Sequence, residues 1–190
     1  MSVSGRSILD LVAVLDAARE AEERTFEVVG GWVPSVAEPQ VKIALSIHSR
    51  RHGDHLESLL AVTPRVAAAV APPHGGLDPS LIDAVAALET TVGRLVALTQ
   101  VLMPRLSAAT GLDPGPAVAA APAARVLGSI WAEHLDQAAE MEGLLASVAA
   151  AVVDRHGVDR ELSVLSRVVR QELRVPPSNL TGELLTPPER

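Results

Sequence analysis

Cysteine is absent from the chain, which excludes disulfides, thiolate metal sites, iron–sulfur clusters and cysteine nucleophiles. Tyrosine is absent as well, and Phe26, Trp32 and Trp131 are the only Phe and Trp residues. That scarcity removes tyrosyl-radical chemistry and the stacking platforms on which single-stranded nucleic acids are held. Positive charge is in deficit: 16 Lys and Arg against 23 Asp and Glu leave a net charge of -7, the wrong sign for a phosphate backbone. No apolar run approaches the ~18 residues that cross a bilayer. Asp10 and Asp16 interrupt the first apolar segment before a signal peptide could be completed. Neither nucleic acid nor membrane is expected as a partner, and the cytoplasm is the expected location. The chain also lacks a phosphate-binding glycine loop, a nucleophile elbow and a His-Glu-x-x-His zinc motif.

What is present suits helices. The 190 residues are 48% apolar with only 2% aromatic, so one core built mainly of Ala, Val and Leu is expected, in a single all-α domain. Ile8, Leu11, Val12, Leu15, Ala18, Phe26 and Val29 recur at helical spacing between residues 7 and 29, and Glu22 falls on the same stripe. "GGWVP" then reads as a stop, with glycines suited to a left-handed cap, a proline beyond, and Trp32 packed under the turn. A second helix is predicted from Glu38, with Pro39 in its first turn, to just before Pro64. Its stripe is Val41, Leu45, His48, His52, His55, Leu59 and Val62, alternating steps of four and three.

A third helix is predicted over 80–106 with Ser80 as its N-cap. Ile82, Val85, Val92, Val96 and Met103 mark one face, and Glu89 lies on it. A fourth, over 121–155, carries Leu127, Ile130, Trp131, His134, Ala138, Met141, Leu145, Val148 and Val152, with His156 as a cation at its end. A fifth, over 159–173, presents Leu162, Leu165, Val168 and Val169 and is suited to capping the bundle or meeting a partner. His74, between Pro-Pro and Gly-Gly, reads as a loop residue. The predicted domain is 1–174, followed by a Pro-rich tail over 175–190. Within the tail, "NLTGELL" reads either as a frayed terminus or as a peptide that docks the protein to a partner.

The two halves can be overlaid. "DAAREAE" ends at Glu22 and "DAVAALE" at Glu89, each with an aspartate six residues before the glutamate. "ESLLA" and "EGLLA" align the second and fourth helices, which sets His48, His52 and His55 over Glu133, Gln137 and Glu140. An antiparallel pair joined around residues 31–38 brings positions summing to about 70 to one depth, at ~1.5 Å per residue. Glu22 is therefore expected opposite His48. Three imidazoles on one stripe facing a carboxylate are costly to bury unless they pair with one another or with a metal. Three outcomes remain open: a transition-metal site, a metal-free Glu and His network, or a small organic ligand held in the bundle.

With four helices in two pairs, a glutamate on the first of each and a ligand cluster on the second, the chain resembles the ferritin-like superfamily. "FEVVGGWVPSVAEPQVKIALSIHSRRHGDH" is similar to an uncharacterised group of bacterial ferritin-like proteins in its GGWVP turn, its proline-started second helix and its central histidines. The resemblance implies an up-down four-helix bundle with a fifth C-terminal helix. It also implies Glu22 and Glu89 as the ligands of the first and third helices, with iron the metal first expected. Together with His48, His52, His55 and His134 they make up the candidate metal ligands. The Glu-x-x-His pairs usual in ferritin-like di-iron sites are missing, and imidazole suits iron, zinc, copper and nickel alike. An iron oxidase or redox protein is one reading, and a non-catalytic interaction or cargo protein is the other. Self-association is compatible with both.

Overall fold

The protein is described by a computed structural model covering residues 8–64, 77–111, 120–151 and 154–172. His74, Val152 and the "NLTGELL" tail lie outside the described residues. Among the described residues there is no strand. The elements are α1 (Ile8–Trp32), a 3-10 turn (Val33–Ser35), α2 (Pro39–Val62), α3 (Pro79–Ala86), α4 (Thr91–Ala97), a π-helical turn (Leu98–Leu102), α5 (Met103–Thr110), α6 (Ala121–Ala149) and α7 (Arg155–Glu172).

Helix α1 buries Leu11, Leu15, Ala18, Glu22, Thr25, Val29 and Trp32, again in steps of four and three. That spacing leaves Phe26 off the stripe and exposed, and Ile8, though in register with it, is exposed at the helix's first position, both contrary to expectation. Both "GGWVP" glycines are helical, and α1 ends one residue after them, where Ser35 Oγ and the Val36 N–H donate to Trp32 O. The use of Gly30 is a close approach: a Cβ there would stand 2.9 Å from Ser49 Oγ on α2. Trp32 is buried as predicted. On α2 the predicted stripe is buried from Val41 through Leu59.

The single third helix is instead broken. Asp78, not Ser80, caps α3, accepting from the Ser80 and Leu81 N–H groups. Thr90 caps α4 by accepting from the Gly93 N–H. The Glu161 carboxylate of α7 fills the break, taking the N–H groups of Glu89 and Thr90 and the Thr90 hydroxyl. A Cβ at Gly93 would lie 2.3 Å from Glu161 Oε2, so glycine there admits the carboxylate. Leu88 O accepts from Arg94 Nε at 2.8 Å. Further on, Pro104 has no N–H and its ring crowds the preceding turn. The chain answers with a wider π turn closed by the Met103 N–H on Leu98 O.

Helix α6 ends at Ala149, and "RHG" opens α7 rather than closing α6. Asp154 accepts from the Gly157 N–H in an N-cap position, and His156 is exposed in the first turn. Leu162 and Leu165 of α7 are buried against the main core, with Val168 and Val169 partly so, and α7 packs on α3 and α4.

Helix α1 packs on α2, α2 on α6, α6 on α5, and α5 on α1. Gly30 meets Ser49 while Glu22 meets His55, so α1 and α2 are antiparallel. His55 meets Glu133 while Arg51 meets Glu140, so α2 and α6 are antiparallel as well. Helix α6 therefore runs parallel to α1. Strict up-down alternation would make these two opposite, so that expectation is corrected. The reason lies between α2 and α4, where the chain returns to the Trp32 end before descending again: Leu77, Leu81 and Val85 share a core with Val29, Trp32 and Val36. A second apolar cluster, with Leu11, Leu15, Leu59, Leu127 and Ile130, occupies the other end.

Candidate metal centre

Between the two apolar clusters lies a polar layer. Helix α1 supplies Glu22, α2 supplies His52 and His55, and α6 supplies His134. Ala18, Leu59 and Ile130 border the layer on one side, and Val29, Leu45 and Met141 on the other. Each of the four sits on its helix's buried stripe, so the spacing that makes the helix amphipathic also turns the side chain inward. Glu22, His52 and His134 are 0% exposed and His55 is 3% exposed.

Glu22 is the hub. Its Oε2 accepts from His52 Nδ1 at 2.6 Å and from His55 Nδ1 at 3.2 Å. Its Oε1 stands 2.8 Å from His134 Nε2. On the far side of that ring the Thr110 hydroxyl, 2.9 Å from Leu106 O, lies 3.4 Å from His134 Nδ1. Glu22 thus meets three imidazoles at once, two through Oε2 and one through Oε1.

The same four side chains could hold a metal ion. One ligand atom from each of Glu22, His52, His55 and His134 can be chosen so that all lie within 4.8 Å of one another. Atoms sharing a tetrahedral ion at roughly 2.0–2.1 Å stand about 3.3 Å apart. A modest inward shift of four side chains closes the difference. The outer nitrogens of two rings are held in the way ligating imidazoles usually are: His134 Nδ1 by Thr110, and His55 Nε2 by Glu133 Oε2 at 3.1 Å.

Burial works against ionising Glu22. The ion contact with His134 and the hydrogen bonds from His52 and His55 outweigh it and hold the carboxyl well below its usual range. Burial lowers His52 despite its bond to Glu22, leaving the ring neutral at pH 7. For His55, burial is outweighed by Glu22 and Glu133, which raise it. His48 is lowered to about 3, by burial first and then by the charges of His52, Arg51 and His134.

The expected ligands are therefore divided. Glu22, His52, His55 and His134 come together. His48 is fully buried one turn away, its ring centroid 6.5 Å from that of His52, outside the ligand group. Glu22 is level with His52 and His55 rather than His48, because α1 and α2 pack with an axial stagger that also sets Gly30 against Ser49 and Phe26 against Gly53. Glu89 is exposed in the break between α3 and α4, where its N–H serves the Glu161 cap. The half-repeat thus does not carry a carboxylate in from the third helix. Thr110, which no local pattern marks, was missed, and Gln137, which the overlay of the halves set over His52 but which was not counted among the ligands, is only 1% exposed. The latter could have been read from its place three residues after His134 on the same stripe.

No family model, curated protein or solved structure matches this chain.

Proposed function

We propose that the protein is a ferritin-like helical bundle that holds one transition-metal ion, iron in the first instance, for redox or oxidase chemistry. The observation that carries this reading is the convergence of Glu22, His52, His55 and His134 in a buried layer, one ligand atom from each lying within 4.8 Å of the others. Two antiparallel pairs joined by a crossing segment are the connectivity of ferritin-like bundles, which also build their metal sites from inward side chains of facing helices. With Glu22 the one carboxylate of the group, the donor set supports a single ion rather than a carboxylate-bridged pair.

Three nitrogens and one oxygen suit iron, zinc, copper or nickel. Iron would supply one-electron chemistry between its ferrous and ferric states. The chain's own part is to orient and to insulate. Thr110 and Glu133 orient two imidazoles, Glu22 offsets cationic charge, and the flanking apolar clusters keep water out. Elemental analysis of protein purified after iron, zinc or manganese supplementation tests the proposal, with Glu22→Gln and His55→Ala alongside. Stoichiometric iron in the wild type and little in the variants is expected. Substoichiometric metal in the wild type under every supplement would refute it.

A metal-free bundle acting through its surface or tail is the second reading. It is favoured by Glu22 accepting from both His52 and His55, with His55 also bonded to Glu133. That network can balance its own charge. In this case chelator would leave the melting temperature unchanged.

A further inference from the structure

The four ligands are sealed from solvent, so an ion must pass through the helix walls to reach them. Helices α2 and α6 show where. His48 is 0% exposed, and neither of its ring nitrogens has a hydrogen-bond partner. Its Nε2 stands 3.9 Å from Oε2 of the half-exposed Glu140, too far for a hydrogen bond. The spacing does suit one ion lying between them at roughly 2.0–2.2 Å from each.

The unengaged atoms continue inward. Gln137 has neither amide atom partnered, and His52 Nε2 is free on the side away from Glu22. The His55–Glu133 and His48–Glu140 contacts bracket this segment of the antiparallel pair, so Gln137 lies level with His52. Orphaned polar atoms destabilise a core. A chain of them leading from a surface carboxylate to the Glu22 layer calls for a use that folding does not supply. The other half-exposed carboxylate beside the layer, Glu133, is already engaged by His55 Nε2.

We propose that Glu140 and His48 form an entry station for the metal ion, which passes by Gln137 to the Glu22 centre. The route rests on the metal-binding reading above. At the surface Arg51 holds Glu140 at 3.1 Å, so an arriving divalent cation displaces a guanidinium and the carboxylate is never left bare.

A route is a barrier and not a ligand: closing it slows uptake and release alike and leaves the dissociation constant unchanged. The test is stopped-flow uptake of cobalt(II), followed by its visible absorbance, into chelator-treated full-length protein. His48→Leu and Glu140→Gln should each slow uptake by about tenfold or more, with final stoichiometry and affinity as in the wild type. Glu140→Gln lies at the surface and keeps the test valid if His48→Leu folds poorly. Wild-type rates in both variants would overturn the route, as would slowing by Glu133→Gln alone. An affinity loss in His48→Leu matching its loss of rate would make His48 a ligand and overturn it too. Equilibrium uptake by the wild type tests the centre itself; the ratio of rates tests only the route.

Discussion

Replacing Glu22 by glutamine keeps the side chain's shape and removes the one buried negative charge on which three imidazoles converge. In the chelator-treated protein the carboxylate accepts from His52 at 2.6 Å and from His55 at 3.2 Å, and contacts His134 at 2.8 Å. Removing one partner of such a buried network costs about 3–5 kcal/mol, set against a total stability of roughly 5–15 kcal/mol. For a chain of this size each kcal/mol moves the melting temperature by about 2–4 °C, so Glu22→Gln should melt roughly 6–20 °C lower. Metal widens the gap. At a free concentration near 1,000 times the dissociation constant, binding stabilises the wild type by ~4 kcal/mol, a shift the variant should lack. The assay is thermal unfolding followed by circular dichroism, with chelator and with anaerobic iron(II). An unchanged melting temperature in chelator would refute the role of Glu22 as charge anchor. Equal upward shifts in both proteins would move the metal elsewhere.

Five further outcomes follow from the geometry. His48 titrates at about 3 in the folded chain against 6.5 when unfolded. Between those values only the unfolded state binds its proton, and stability falls with falling pH by about 1.4 kcal/mol per unit. His52 acts with the same sign; His55, being raised, acts oppositely, its contribution full below 6.5 and lost as pH rises through its folded value. Urea unfolding of chelator-treated His48→Leu between pH 6.5 and 4 should therefore show an acid limb shallower by about one proton, and a wild-type slope would contradict this. Because the His55 proton must leave before metal binds, iron(II) affinity should rise with pH above 6.5; a pH-independent affinity argues against His55 as a ligand. Glu161→Ala should cost about 1–3 kcal/mol by orphaning the donors in the α3–α4 break. Gly93→Ala should harm the wild type more than the Glu161→Ala background, because its Cβ strikes that carboxylate; additive losses in urea unfolding would exclude the clash. Gly128 lies within α6 with nothing within 4 Å of an added Cβ, so Gly128→Ala should raise urea-unfolding stability by about 1 kcal/mol, and a loss would mean an unseen neighbour.

The sequence by itself determined what depends on neighbours within a turn or two. Steps of four and three along residues 41–59 put His48, His52 and His55 inside, and the same rule turned Glu22 and His134 inward, because burying one stripe of a helix is decided by that helix's own period. The all-α class followed from the same periodicity. Tertiary structure alone decided what depends on distant partners. Glu89 sits on an apolar stripe when read locally, yet it is exposed because a carboxylate 72 residues away caps a break beside it. The stagger between α1 and α2, seen in the approach of Gly30 to Ser49, set the register that brings Glu22 against His52 and His55. The parallel course of α1 and α6 came from the path between α2 and α4, and the orientation of His134 from Thr110 on another helix. Periodicity records which way a side chain points along its own axis; what it meets there is set by packing between helices, which no local pattern encodes.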